Sequence, residues 1–302
     1  MGLALSALRF LAREHRRHPF SGPVLTLGRQ NVYATYAQVL SMLNEEGIEP
    51  RALPQGESLQ TNIPDWDAGQ QAGFTSDRVF FLSLGGLDVL SLDISSHQGA
   101  DFTVDLNCPI PSELEGRFGL VVDGGTLEHV FDVNQAMRNV NRMLRPGGRV
   151  IHMSPTSNFG EHGYYQFGPT LFYDYYGVNR FVDLWCYIVE NSPWDALGKR
   201  KMRFWEWDIG RVSRPLVASQ CLFVFFCGEK TASSTIDAVP QQGQYRQASL
   251  AAVPSPSYTR PRNPLRGLVR GAMSPALRGL VNRLLKRDVS VKPWGLRYLG
   301  KL

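Results

Sequence analysis

Apolar residues in this chain gather in short unbroken runs separated by glycine and acidic positions. The central example is Leu120-Val121-Val122, with Gly119 before it and Asp123-Gly124-Gly125 after it. A run without alternation fits a strand buried on both faces of a parallel sheet. Asp123 ends the run, and the glycine pair lets the backbone turn sharply and approach a ligand. Val133, Met137 and Val140 then recur at helical spacing, Pro146-Gly147-Gly148 makes a turn, and Val150-Ile151 begins another apolar run.

The same order recurs along the chain. Pro23–Leu27 reads as the first strand, ending at Gly28, and Tyr36–Leu43 as a helix with Val39, Leu40 and Leu43 on one face. Residues 44–75 carry Gly, Gln, Pro and acids without periodicity, a long loop that can serve as a lid or be a plain insertion. Ser76-Asp77 caps a predicted helix over Arg78–Leu84. Val89–Leu92 is the second strand, ending in Asp93, and Asp101–Asn107 is the third. Phe204–Ile209 and Ser219–Cys227 are the last two. Strands alternating with helices predict an α/β fold, and in open parallel sheets ligands sit outside the carboxyl ends of the strands. Asp123–Thr126 occupies such an end.

At this point the chain resembles the class I S-adenosylmethionine-dependent methyltransferases of the small-molecule type. The carriers are Thr126-Leu127-Glu128-His129-Val130 and Leu144-Arg145-Pro146-Gly147-Gly148-Arg149, in that order, and the resemblance covers roughly residues 20–228. It implies a Rossmann-like, seven-stranded, mostly parallel sheet with helices on both faces over residues 1–230. It also implies S-adenosylmethionine as the cofactor. By resemblance, Asp93 accepts hydrogen bonds from the two ribose hydroxyls, a task suited to a carboxylate's two oxygens. Asp105 takes the adenine amino group, with Asp101 competing for the role, and Leu106 contacts the ring. Gly28, Asp123, Gly124, Gly125 and Thr126 complete the cofactor-binding set. The family's Gly-x-Gly-x-Gly loop is reduced to Gly28 in Gly28-Arg29-Gln30-Asn31. That loss counts against a nicotinamide dinucleotide, whose pyrophosphate needs close backbone approach at a helix N-terminus. S-adenosylmethionine has no phosphate, and its carboxylate can be held by backbone N–H groups or by Arg29.

An oxygen acceptor of a methyl group has to lose its proton, and His162, His129 and Glu128 are the candidate bases, His162 the preferred one. His129 is as well suited to fixing its loop as to catalysis. Residues 159–187 hold 11 aromatics, six of them among the chain's 11 tyrosines. Interleaved with His162, Gln166 and Asp174, they suit both a core and a pocket for a hydroxylated small molecule or saccharide. No His, Cys or acidic cluster has metal-ligand spacing, so no metal is expected. The competing reading is a methyltransferase fold that binds or scaffolds without catalysing.

Charge adds an asymmetry. The chain has 32 basic and 27 acidic residues; residues 260–302 hold 11 basic residues and one acid, leaving 21 and 26 in the rest. The net is therefore +10 for the tail and −5 for the body, so the high isoelectric point does not argue for nucleic acid binding. Residues 231–264 are rich in Ser, Pro, Gln and Ala and read as a linker, and Leu265–Arg287 as a basic amphipathic helix broken at Pro275. The tail, 265–302, is expected to touch a membrane surface, a protein partner or the acidic body. The N-terminus, with Leu5, Leu8, Leu11 and Ala12 near one face, reads as an ordinary amphipathic helix, not a signal peptide or an acylation site. No run approaches the about 20 apolar residues of a membrane span. The four cysteines show no paired spacing and suit reduced thiols in a cytoplasmic protein, which is the expected location.

Overall fold

A computed structural model of the chain describes residues 2–61, 73–191, 202–207 and 218–243, and the backbone of 297–301. The chain opens with β1 (Gly2–Ala4) and α1 (Leu5–Arg17), whose Leu8, Leu11 and Ala12 are fully buried. Next come β2 (Val24–Leu27), β3 (Asn31–Thr35) and α2 (Tyr36–Glu45). Thr35 caps α2: its hydroxyl accepts from Gln38 N while the Gln38 side chain accepts from Thr35 N, so two end donors are satisfied reciprocally. β4 (Phe74–Ser76) leads into α3 (Asp77–Gly85), where Ser76 Oγ accepts from Val79 N at 3.1 Å. β5 (Val89–Asp93), β6 (Phe102–Thr103) and β7 (Phe118–Asp123) follow, then α4 (Val133–Met143), β8 (Leu144–Ser157) and α5 (Pro169–Val178). β9 (Val182–Asn191), β10 (Arg203–Glu206), β11 (Cys221–Glu229) and β12 (Arg297–Lys301) complete the described elements.

The main sheet runs β12-β10-β9-β11-β8-β7-β2-β5-β6. Its β6-β5-β2-β7-β8 half is parallel, and every pairing from β8 through β11, β9 and β10 to β12 is antiparallel. Helices cover both faces. Leu120 and Val122 of β7 pack with α1, α2 and α3, whereas Val121 packs with α4 and α5. That two-sided burial is why the central run is continuously apolar. The fold is thus the Rossmann-like α/β arrangement expected, with an antiparallel half larger than the pattern indicated.

Several features differ from the sequence reading. The sheet has nine described strands rather than seven, and β1, β3 and β4 form a separate small sheet. The third strand, expected over 101–107, is only two residues long, because beyond Thr103 the chain turns on its own side chains. The aromatic region contains α5 and β9, which core aromatics without a clear period concealed. Residues 231–243, expected to be linker, are fastened to α5 and its C-terminal end: Thr235 N donates to Asn179 O, Tyr175 Oη to Ile236 O and Gly243 N to Asp174 Oδ2. The last strand, within the expected tail, pairs with β10. The predicted basic helix 265–287 and residues 62–72 of the expected loop 44–75 lie outside the described residues. No helix among the described residues is long and apolar enough to cross a membrane.

Candidate functional site

From β2 the chain crosses to β5 and β6 on one side, then returns to β7 on the other. Strand order therefore reverses beside β2, and such a switch point leaves a crevice at the carboxyl ends of the diverging strands. Gly28, Asp93 and Asp123–Thr126 stand at those three ends.

They form one constellation. Gly28 has φ +69°, and a Cβ placed there would lie 3.3 Å from Thr126 Oγ1, 3.7 Å from Asp93 Oδ2 and 3.8 Å from Gln30 Nε2. A side chain at 28 would thus be strained and would fill the space these groups face. Thr126 Oγ1 donates to Leu27 O at 2.7 Å, tying the loop after β7 to the end of β2. Asp93 is half-buried, and its Oδ1 accepts from Ser95 N at 3.4 Å.

Gln30 is a member that the sequence reading missed. It stands where the family's glycine loop continues, and its side chain bridges the gap, with Nε2 donating to Leu27 O at 2.8 Å and to Gly28 O at 3.2 Å. Its Oε1 is buried, lies against Gly124 where no Cβ intervenes, and has no partner among the described residues. An ammonium donor at this spot would satisfy it.

The Asp123 carboxylate faces inward instead. Oδ1 accepts from the backbone N–H of Gly125, Thr126 and Leu127 at 3.2, 2.8 and 3.3 Å. Oδ2 lies 2.9 Å from His152 Nδ1 and accepts from Ser154 Oγ at 3.4 Å. His152 Nε2 lies 2.7 Å from the Tyr176 hydroxyl. Burial pushes the Tyr176 hydroxyl well up, so it donates to Nε2, and Nδ1–H donates to Asp123. Asp123 was expected to bind cofactor directly; its carboxylate instead fixes the loop that presents Gly124, Gly125 and Thr126. The signal for its partner was available, because His152 is a polar residue inside the apolar strand β8 and pairs in register with Asp123.

The remaining cofactor candidates are dispersed. Asp101 Oδ2 accepts from Ser91 N and Oγ at 2.7 and 3.0 Å, which clamps the segment to β5 and occupies the rival of Asp105. Asp105 is exposed and closes its own turn, accepting from Asn107 N and Nδ2 at 2.9 and 2.7 Å. The Leu106 side chain belongs to the core beneath α4. Arg29 reaches across to the Gln98 and Gly99 carbonyls at 3.4 and 3.3 Å.

A second constellation begins two residues past Thr126 on the same loop. The short 3-10 turn Leu127–His129 carries Glu128, which is fully buried, with neither carboxylate oxygen bonded among the described residues. His162 Nε2 stands 3.6 Å from Glu128 Oε1, beyond hydrogen-bonding distance, and is itself unpartnered. The His129 and His162 rings lie edge to face at 5.2 Å, and His162 stacks on Phe159 at 3.9 Å. Gly163 permits this approach: a Cβ there would meet Glu128 O at 2.7 Å, and Tyr164 N donates to that same oxygen. The three candidate bases, two adjacent in sequence and His162 arriving from beyond β8, are thus neighbours. Burial, then the Asp123 charge, pushes the Glu128 carboxyl up to about 8. Partial burial holds both imidazoles below their ordinary value, and His129 further lowers His162. Beside them Phe131 and Tyr164 pair edge to face at 5.8 Å while remaining 72% and 69% exposed. Exposed aromatic pairs of this kind are unusual outside binding surfaces.

Residues 81–152, which contain β5, β7, α4 and the two loop motifs, match the family model of a methyltransferase domain. No curated protein matches the chain. Among solved structures, it is similar to the CMeT domain of citrinin polyketide synthase, with 11% identity over 75% of this chain and 52% of that one and a TM-score of 0.39. It is also similar to Haemonchus contortus phosphoethanolamine N-methyltransferase 2, with 14% identity over 50% and 45% and a TM-score of 0.33. A third is a Thermotoga maritima methyltransferase described as a possible histamine N-methyltransferase, with 14% identity over 75% and 91% and a TM-score of 0.36. The chain spans about half the length of the first two. Gly28, Asp93 and Thr126 make one constellation, and Glu128, His129 and His162 make a second that shares its loop; Gly28 and His162 lie outside the matched segment.

Proposed function

We propose that this protein transfers a methyl group from S-adenosylmethionine to a hydroxyl oxygen of a small molecule or saccharide. One observation carries the reading. A single loop after β7 lays Gly124–Thr126 against Gly28 and Asp93, and within three residues lays Glu128 and His129 against His162. A donor site and an acceptor site that share one rigid loop meet the main demand of an in-line displacement, which is alignment, worth roughly 7–11 kcal/mol of the barrier.

The residues fit the cofactor. Asp93 offers carboxylate oxygens to a ribose diol, Gly28 places no side chain among Thr126, Asp93 and Gln30, and the orphaned Gln30 Oε1 can accept from the amino group of the methionyl end. When bound, S-adenosylmethionine supplies the electrophilic methyl. The chain's own contribution is to hold the acceptor among His129, His162 and the Phe131–Tyr164 pair and to remove its proton. His162 Nε2 is the receiving atom, since it is unbonded and its ring is steadied by Phe159. An imidazole held somewhat below its ordinary value is neutral, and so able to accept, at physiological pH.

The second reading, a binding or scaffold protein on the same fold, draws on Gln30, whose side chain occupies part of the space over Gly124. Titration calorimetry with S-adenosylmethionine separates the two. Binding, followed by transfer of labelled methyl to hydroxylated small molecules and saccharides, is the expected result. Absence of binding would leave only the scaffold reading, and binding with transfer to amines alone would overturn the oxygen acceptor. Association of the basic tail with a membrane surface belongs to the same proposal. It is tested by flotation with anionic liposomes, comparing the full chain with one ending at Lys230.

A further inference from the structure

We propose that Glu128, His129 and His162 form a binding site for a first-row divalent transition-metal ion. One donor atom from each of the three lies within 4.8 Å of the others. The second observation is the state of those donors: the fully buried Glu128 carboxylate has no hydrogen-bond partner on either oxygen among the described residues, and neither has His162 Nε2. An orphaned buried carboxylate is costly unless something positive shares its cavity. Among the described residues no Lys or Arg pairs with it; two imidazoles stand beside it.

The chemistry of the set selects the class of ion. Two imidazole nitrogens and one carboxylate oxygen suit zinc, cobalt or ferrous iron, whereas magnesium and calcium prefer oxygen throughout. With zinc–ligand bonds of about 2.0–2.1 Å, tetrahedral donors sit about 3.4 Å apart. The Glu128–His162 pair, at 3.6 Å, is nearly there. His129 is exposed, so its ring is free to close the remaining gap, while the Phe159 stack holds His162 in place. Nothing in the linear spacing announces this set, because residues 128 and 129 are adjacent and 162 arrives from beyond β8.

Three protein ligands leave a coordination position open, as in catalytic rather than structural metal sites. An acceptor hydroxyl bound there would be acidified by the ion, and the three residues would then serve as ligands instead of bases. That role rests on the methyl-transfer reading above; binding of the ion does not.

The test uses the full chain stripped with a chelator and then dialysed. Zinc alone is titrated by calorimetry and cobalt(II) alone by visible absorption. One equivalent of either ion is expected to bind, with cobalt giving the bands of a four- or five-coordinate centre. Glu128→Gln, His162→Ala and His129→Ala should each weaken binding about 100-fold or more, since even outer-shell changes commonly cost tenfold to 100-fold. His129 is exposed, so its variant keeps the question answerable if a buried variant fails to fold. No uptake below about 100 μM, or uptake unchanged in all three variants, would overturn the site; the latter would move the ion to the accessible thiols of Cys108 or Cys221. S-adenosylmethionine is titrated separately on the same preparation. If it binds and zinc does not, the metal site alone fails; if zinc binds and it does not, the methyl-transfer reading alone fails.

Discussion

Two carboxylates, five positions apart on one loop and both fully buried, are treated in opposite ways. Asp123 receives three backbone N–H groups, His152 and Ser154, and each of its oxygens is engaged. Glu128 receives none among the described residues, and His162, the group facing it, stops 3.6 Å short. A buried carboxylate with a full set of donors is part of the architecture, because removing it strands every donor at once. A buried carboxylate without donors costs stability, and a fold that keeps it does so for another reason. The contrast divides the loop into a half that shapes the site and a half that does its work.

The largest effect should come from breaking the satisfied half. Asp123→Ala leaves His152 and three amides unpaired in the interior, and the expected loss is about 3–5 kcal/mol in chemical denaturation. Glu128→Gln strands nothing, so its stability should match the parent to within about 1 kcal/mol, or exceed it, while methyl transfer collapses. If Glu128→Gln were as destabilising as Asp123→Ala, the two carboxylates would have the same role and the comparison would fail.

Next in size is the cofactor side. Asp93→Ala should weaken S-adenosylmethionine binding at least tenfold in calorimetry, since two charge-assisted hydrogen bonds are worth about 1.5–3 kcal/mol each. His162→Ala, on the acceptor side, should leave that affinity nearly unchanged. Equal affinities of the parent and Asp93→Ala would place the cofactor elsewhere.

A smaller change sharpens the architectural half. Tyr176→Phe removes only the 2.7 Å bond to His152 Nε2 and should cost about 1 kcal/mol of stability, with cofactor affinity intact. The smallest stability effect belongs to the exposed pair. Phe131→Ala and Tyr164→Ala should shift stability by no more than about 0.5 kcal/mol, yet raise KM for the acceptor with kcat less affected. An unchanged KM across hydroxylated acceptors would remove the pair from the site.

The sequence alone determined the parallel half of the sheet and its loop. A central strand buried on both faces has to be continuously apolar, and a chain turning at a ligand-facing strand end needs glycine, so residues 120–125 were legible without neighbours. The Ser76 cap and the Thr126–Val130 and Pro146–Gly148 motifs were local in the same sense. The antiparallel half was less legible: β9 pairs with β11 across separations of 30 to 47 residues, and its aromatic surroundings carry no period that separates core from pocket. The tertiary structure decided which polar groups meet. Sequence marked Asp123, Glu128, His129 and His162 as chemistry-bearing, but only packing set His152 on one carboxylate and left the other bare. It also put Gln30 in the place of the missing glycines. Hydrogen bonding depends on a few tenths of an ångström between groups far apart in sequence, and side-chain identity in a linear chain does not fix that distance.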